Sequence, residues 1–249
     1  MNEKKSVNSL KRQMTAAIAM VLVAGIALAS ATYAWFVTNN NVKATTSTIS
    51  AQSNAAYMTI KYDATAVGVD TTEDSATVNN AELYPATYGE QTGSEKGTFM
   101  TGYGTDVKTA TLKGDLKKVG TNGTPEEAAE NKYAVLNNFN ISSRGQNLSG
   151  LKVAGVTVST ESDSKIDSAL RILIVCGDNW EVWSDAGFKY GKNDEAGTLA
   201  ETVIAGKDTN VKMYLFYEGS DENIFTNNLG SLTASEKVTV TFTADPENK

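Results

Sequence analysis

The chain has 249 residues, a net charge of −7, an isoelectric point near 4.8, one cysteine and no histidine. An acidic balance repels nucleic acid and anionic lipid surfaces, so no nucleic-acid partner is expected and a membrane contact only through the N-terminal segment. The missing histidine excludes Ser-His-Asp and Cys-His catalysis and His-containing zinc sites, leaving carboxylates alone as a catalytic resource, and a lone cysteine excludes an internal disulfide.

Residues 13–42 carry no charge, and Lys4, Lys5, Lys11 and Arg12 precede them. A basic n-region, an apolar run over Ala16–Leu28 and small residues at Ala27-Leu28-Ala29, Ala29-Ser30-Ala31 and Thr32-Tyr33-Ala34 make a secretory signal. The flanking charges put the N-terminus inside and the remainder outside. The competing reading is a retained anchor, because Met14–Val37 exceeds the roughly 20 residues that cross a bilayer. Cleavage is the favoured reading. Residues 1–34 hold four bases and one acid, a net of +3; set against −7 for the whole chain, this leaves the mature part near −10.

Thr38–Asn54 is rich in Asn, Thr and Ser and reads as a linker passing into a strand built on Val42, Ala44, Ile49 and Ala51. Tyr57–Tyr62 is a strand by β-propensity and partial alternation. Residues 63–105 hold short strands or long loops, and Val107–Leu112 is a further short strand. Thr124-Pro125-Glu126-Glu127 opens a short helix, with Thr as N-cap, Pro at the first position and Glu three residues on.

Clear strands follow at Tyr133–Ser142 and Leu151–Ser159, the latter with a bulge at Gly155, where its apolar side switches. Ala169–Cys176 is almost continuously apolar, as suits a central strand covered on both faces, and Cys176 reads as a small buried hydrophobe. Gly177-Asp178-Asn179 turns it into the returning strand Trp180–Trp183. Val211–Tyr217 and Val238–Thr243 alternate. The whole predicts an all-β fold, an antiparallel β-sandwich of jelly-roll-like form behind an N-terminal hydrophobic helix. The expected divisions are 1–34 (or an anchor to about 37), a linker and N-terminal strand over 35–56, and the β domain over 57–249.

Two stretches carry a resemblance. Ala31-Thr32-Tyr33-Ala34-Trp35-Phe36 followed by Asn/Thr-rich sequence is similar to the signal end of the TasA/camelysin family, and Val211–Asn223, a strand running into Tyr217-Glu218-Gly219 and an acidic turn, resembles the late part of related exported proteins. The resemblance implies an exported Gram-positive protein processed by the signal peptidase SipW, cut between Ala34 and Trp35, with a β-sandwich fold. In some relatives it also implies self-assembly into biofilm-matrix fibres.

Acidic groups stand at Asp70–Asp74, at Asp194-Glu195 and at Glu218–Asn223. None has the EF-hand spacing, and solvated turn charge is the favoured reading of each. No cofactor is required; a calcium ion on Glu218, Asp221 and Glu222 is the one candidate. Trp180, Trp183 and Tyr190 could serve as a sugar platform, but Trp180 and Trp183, three apart in a strand, point to opposite faces, which favours core packing. The sequons at Asn122, Asn140 and Asn147 carry no weight in a bacterial protein.

The function expected is an exported cell-surface or matrix structural protein, not an enzyme, whose partners are copies of itself and the signal peptidase. It would assemble by adding the segment Val42–Tyr62 to a neighbour's sheet edge. The alternatives are a membrane-anchored adhesin and a camelysin-like metalloendopeptidase, the latter disfavoured by the absence of histidine.

Overall fold

The computed structural model describes residues 42–53, 58–62, 73–89, 96–102, 116–160, 168–221, 224 and 236–247, with Met14 and Met20. Apart from Met14 and Met20, the export segment with Ala34 and Trp35 lies outside these residues, as do the strand expected at 107–112 and Glu222. No helix among the described residues is long and apolar enough to cross a membrane.

The chain begins with β1 (Val42–Ser53), β2 (Met58–Tyr62), β3 (Glu73–Leu83), β4 (Thr87–Tyr88), β5 (Phe99–Thr101) and β6 (Lys117–Lys118). The helix α1 (Pro125–Glu130) follows, then β7 (Val135–Ser143), β8 (Leu148–Thr160), β9 (Leu170–Cys176) and β10 (Asn179–Ser184). The last four are β11 (Gly187–Gly191), β12 (Ala200–Val203), β13 (Thr209–Tyr217) and β14 (Glu236–Pro246). They form a five-stranded sheet in the order β12-β8-β14-β1-β3, a six-stranded sheet in the order β11-β10-β9-β13-β7-β2, and a small sheet β4-β5-β6. The fold is all-β.

Alternation in β14 shows why the two large sheets share a core. Val238, Val240 and Phe242 are fully buried, while Thr239, Thr241 and Thr243 lie half-buried on the other face. Ile49 of β1 and Leu151 and Val153 of β8 join them, and meet Ile60, Phe139, Ile172, Ile174, Met213 and Leu215 of the six-stranded sheet. Each such side chain contributes about 1.5–3 kcal/mol by leaving water.

A third layer was not expected from the sequence. The outer face of the six-stranded sheet carries Leu173, Val182, Tyr214 and Phe216, and these pack under Tyr88, Phe99, Val119 and Ala128. The cause is legible in β9, LRILIVC, buried at six of its seven positions: a strand apolar on both sides needs cover on both sides. The small sheet and α1 provide it.

Local signals set several boundaries. Thr124 Oγ1 accepts from the Glu127 N–H, and the Glu127 carboxylate accepts from the Thr124 N–H, so the expected capping box is present. The helix closes at Asn131, and the N–H groups of Tyr133 and Ala134 return to the Ala128 carbonyl. That closure delays β7, expected from Tyr133, until Val135. Gly177-Asp178 makes the two-residue turn between Cys176 and Asn179, which pair. In β8, Gly155 pairs with Thr241 and Val153 with Phe242, so the expected bulge lies at Ala154-Gly155.

Two further expectations change. The sheets are not wholly antiparallel, because β1 runs parallel to β14 from Ser47–Glu236 to Ser53–Phe242. The two strands come from distant parts of the chain, so no tight turn dictates their direction. The strand on Val42, Ala44, Ile49 and Ala51 is also not set apart from the domain. It lies inside the five-stranded sheet, between β14 and β3, with Ile49 and Ala51 fully buried.

Candidate functional site

The late acidic turn yields the most distinctive group. Alternation places Tyr217 in the inter-sheet core, and the chain leaves β13 at Glu218. There it meets β4: Ala86 and Glu218 form an isolated parallel bridge, the Ala86 N–H donates to the Tyr217 carbonyl, and the Gly219 N–H donates to the Ala86 carbonyl. The Glu218 side chain is thereby trapped under the small sheet, at 4% exposure. Its Oε2 accepts from Thr87 Oγ1 at 3.0 Å, and its Oε1 accepts from Ser220 Oγ at 2.9 Å and from the Ser220 N–H at 3.2 Å.

Burial pushes the Glu218 carboxyl up to about 7, against the opposing pull of the Ser220 and Thr87 hydrogen bonds and the Arg171 charge. Arg171, itself buried, lies 3.6 Å from Asp221 and donates through Nη1 to the carbonyls of Ser168 and Leu170. Ser168 Oγ donates to Asp221. The group can therefore hold a proton near neutrality. Both Glu218 oxygens are already engaged by protein donors.

Of the calcium candidate's three residues, the structure brings Glu218 and Asp221 into this group, and Glu222 lies outside the described residues. Among the described residues no three His, Cys, Asp or Glu side chains are grouped to hold a metal ion. In the first acidic cluster, Asp74 accepts from the Tyr62 N–H at 2.6 Å and ties β2 to β3. In the second, Asp194 pairs with Lys96 at 2.5 Å.

The aromatic trio separates as its spacing demands. Trp183 is buried between the large sheets, edge-on to Phe188. Trp180 and Tyr190 pack on the opposite face, Trp180 edge-on to Tyr88. The loop glycines Gly89 and Gly97 close over Trp180, with space for a Cβ only 3.1 Å from its ring. Core packing accounts for all three.

Sequence reasoning missed three polar groupings, two of them buried, on Arg171 and Glu181, and one at the surface, on Glu126. Arg171 was visible as the one charge inside an apolar run, which by itself calls for a buried acceptor. Glu181, 4% exposed, accepts from Trp183 Nε1 and the Gly197 N–H. Glu126 accepts from Lys212 Nζ at 2.7 Å and Tyr214 Oη at 2.9 Å, which pins α1 to β13. Burial pushes the Glu126 carboxyl up, but these bonds outweigh it and hold it below the usual range, while the Tyr88 and Tyr214 hydroxyls are raised, chiefly by burial. Glu181 and Trp183, two apart in β10, share one face of the strand, whereas no spacing in the sequence announces the meeting of Glu126 with Lys212 and Tyr214.

The chain matches no protein-family model, no curated protein and no solved structure.

Proposed function

We propose that this chain is an exported structural protein of the cell surface or extracellular matrix, whose two large sheets make a jelly-roll-like β-sandwich and whose copies join by exchanging β1. The observation that supports this reading is the position of β1. It is the first strand of the sheet, it fills the slot between β14 and β3, and its next neighbour in sequence, β2, lies in the other sheet. A strand of that kind can occupy the same slot in a second copy with the same hydrogen bonds, so exchange converts internal pairing into assembly. The uncharged segment before it supports export, and the acidic balance supports solubility outside a cell.

The test is recovery of the protein from its native surface, with intact mass, N-terminal sequence and negative-stain microscopy of one fraction. A start near Trp35 together with filaments supports a processed, polymerising subunit. An intact N-terminus in the membrane fraction, with single particles, replaces it with an anchored adhesin. If a chain lacking residues 35–55 assembles as the parent does, strand exchange is wrong.

A further inference from the structure

We propose that β1 and β14 form a mechanical clamp, so that tension entering upstream of β1 and leaving downstream of β14 is carried as shear along their shared ladder. The direction of the two strands is the first ground. Because they are parallel, the chain enters β1 at one end of the ladder and leaves β14 at the other. Val42 lies five residues before the first paired position, Ser47, and Pro246 four residues beyond the last, Phe242. Pulling the two ends apart therefore drags the strands past one another along their own axes. Every hydrogen bond of the ladder is strained at once, and none can open alone. An antiparallel terminal pair would instead be pulled from one end and open bond by bond.

Position in the sheet is the second ground. Neither strand lies at an edge. β14 is held on its other side by β8, from Glu236–Thr160 to Pro246–Leu148, and β1 by β3, from Val42–Leu83 to Gln52–Glu73. Withdrawing either strand breaks two ladders.

The third ground is the side-chain register. Ile49, Ala51, Val238, Val240 and Phe242 are all buried in the inter-sheet core. A slip of one residue turns each of them outward, so the shortest slip that restores the pattern is two residues, about 6.6 Å. Short of that distance nothing is regained, and the pair resists stiffly until it fails. The inference uses only the pairing within one chain and stands apart from the exchange of β1.

Single-molecule force spectroscopy tests it on the full chain, in three geometries. Handles upstream of β1 and downstream of β14 load the pair in shear. An upstream handle with a second at Lys237→Cys, an exposed position at the entry end of β14, peels the same pair apart. A downstream handle with a second at Gln52→Cys peels it from the other end, and serves if the Lys237 variant does not fold. The end-to-end geometry is expected to need a several-fold higher unfolding force than either peel. Equal forces in the shear geometry and a folded peel variant would overturn the clamp, as would end-to-end unfolding that leaves the β1–β14 pair intact.

Discussion

At the scale of single residues, two turn positions around α1 have opposite expected responses. Gly123 has φ +74, and a Cβ there would stand 2.8 Å from the Phe99 carbonyl oxygen, a backbone atom that cannot swing aside. Gly123→Ala combines left-handed strain of about 1–2 kcal/mol with that collision, so a loss above about 2 kcal/mol is expected in urea melts. Lys132 carries φ +64 on a side chain that is exposed. Lys132→Gly relieves the strain without removing a buried contact and is expected to raise stability by about 0.5–1 kcal/mol in the same melts.

Glu218 gives a pH dependence with a definite sign. Its folded value near 7 lies above the ordinary 4.5, so the folded state holds the proton more tightly than the unfolded one. The stability this adds is complete below about pH 4.5, declines between 4.5 and 7, and is gone above 7. The full change is on the order of 3 kcal/mol. Glu218→Gln, which cannot ionise, is expected to flatten that decline; parallel pH profiles for parent and variant would contradict the assignment. Millimolar calcium is expected to leave the melting temperature unchanged, since both Glu218 oxygens already have donors, and a rise of several degrees that a chelator reverses would restore the calcium reading.

At the scale of elements, the sequence was most legible where alternation was strict. The patterns in β13 and β14, the continuous run in β9, the hairpin at Gly177 and the capping box at Thr124 each produced what their spacing requires. The pairing of β1 was not legible, because Val42–Ser53 is Thr- and Ser-rich and its partners stand far away in sequence. Parallel alignment with β14 depends on the fit of Ile49 and Ala51 into a core made by other strands. Truncating Ile49, fully buried, is expected to cost about 2–4 kcal/mol in chemical denaturation. A cost near zero would mean that β1 sits loosely in its slot. The Glu218 group was half legible: the acidic turn was visible, but Thr87 and Arg171 reach it only through the packing of β4 and β9 against the end of β13.

At the scale of the whole molecule, three layers share two cores, and the middle sheet contributes to both. That arrangement accounts for the long apolar run of β9 in a chain otherwise full of Thr, Asn and Gly. The chain is acidic, and an isoelectric point near 4.8 sets when copies repel one another. Light scattering by the purified protein is expected to rise as the pH falls toward that value and to subside on either side, with salt blunting the contrast. Scattering independent of pH would place self-association in apolar contact or strand exchange and not in charge.

Cys176 is the only thiol in the chain, it sits on the core side of β9, and burial raises its pKa. A sulfhydryl reagent therefore has one target, and it reaches that target only when the inter-sheet core parts. At low reagent the labelling rate tracks the fraction of molecules whose core is open. With reagent in excess it saturates at the opening rate itself. The native chain thus needs no added probe for the opening of its core to be timed, and the ordered fraction of any assembled material could be read as the share of thiols still unreacted after a fixed interval.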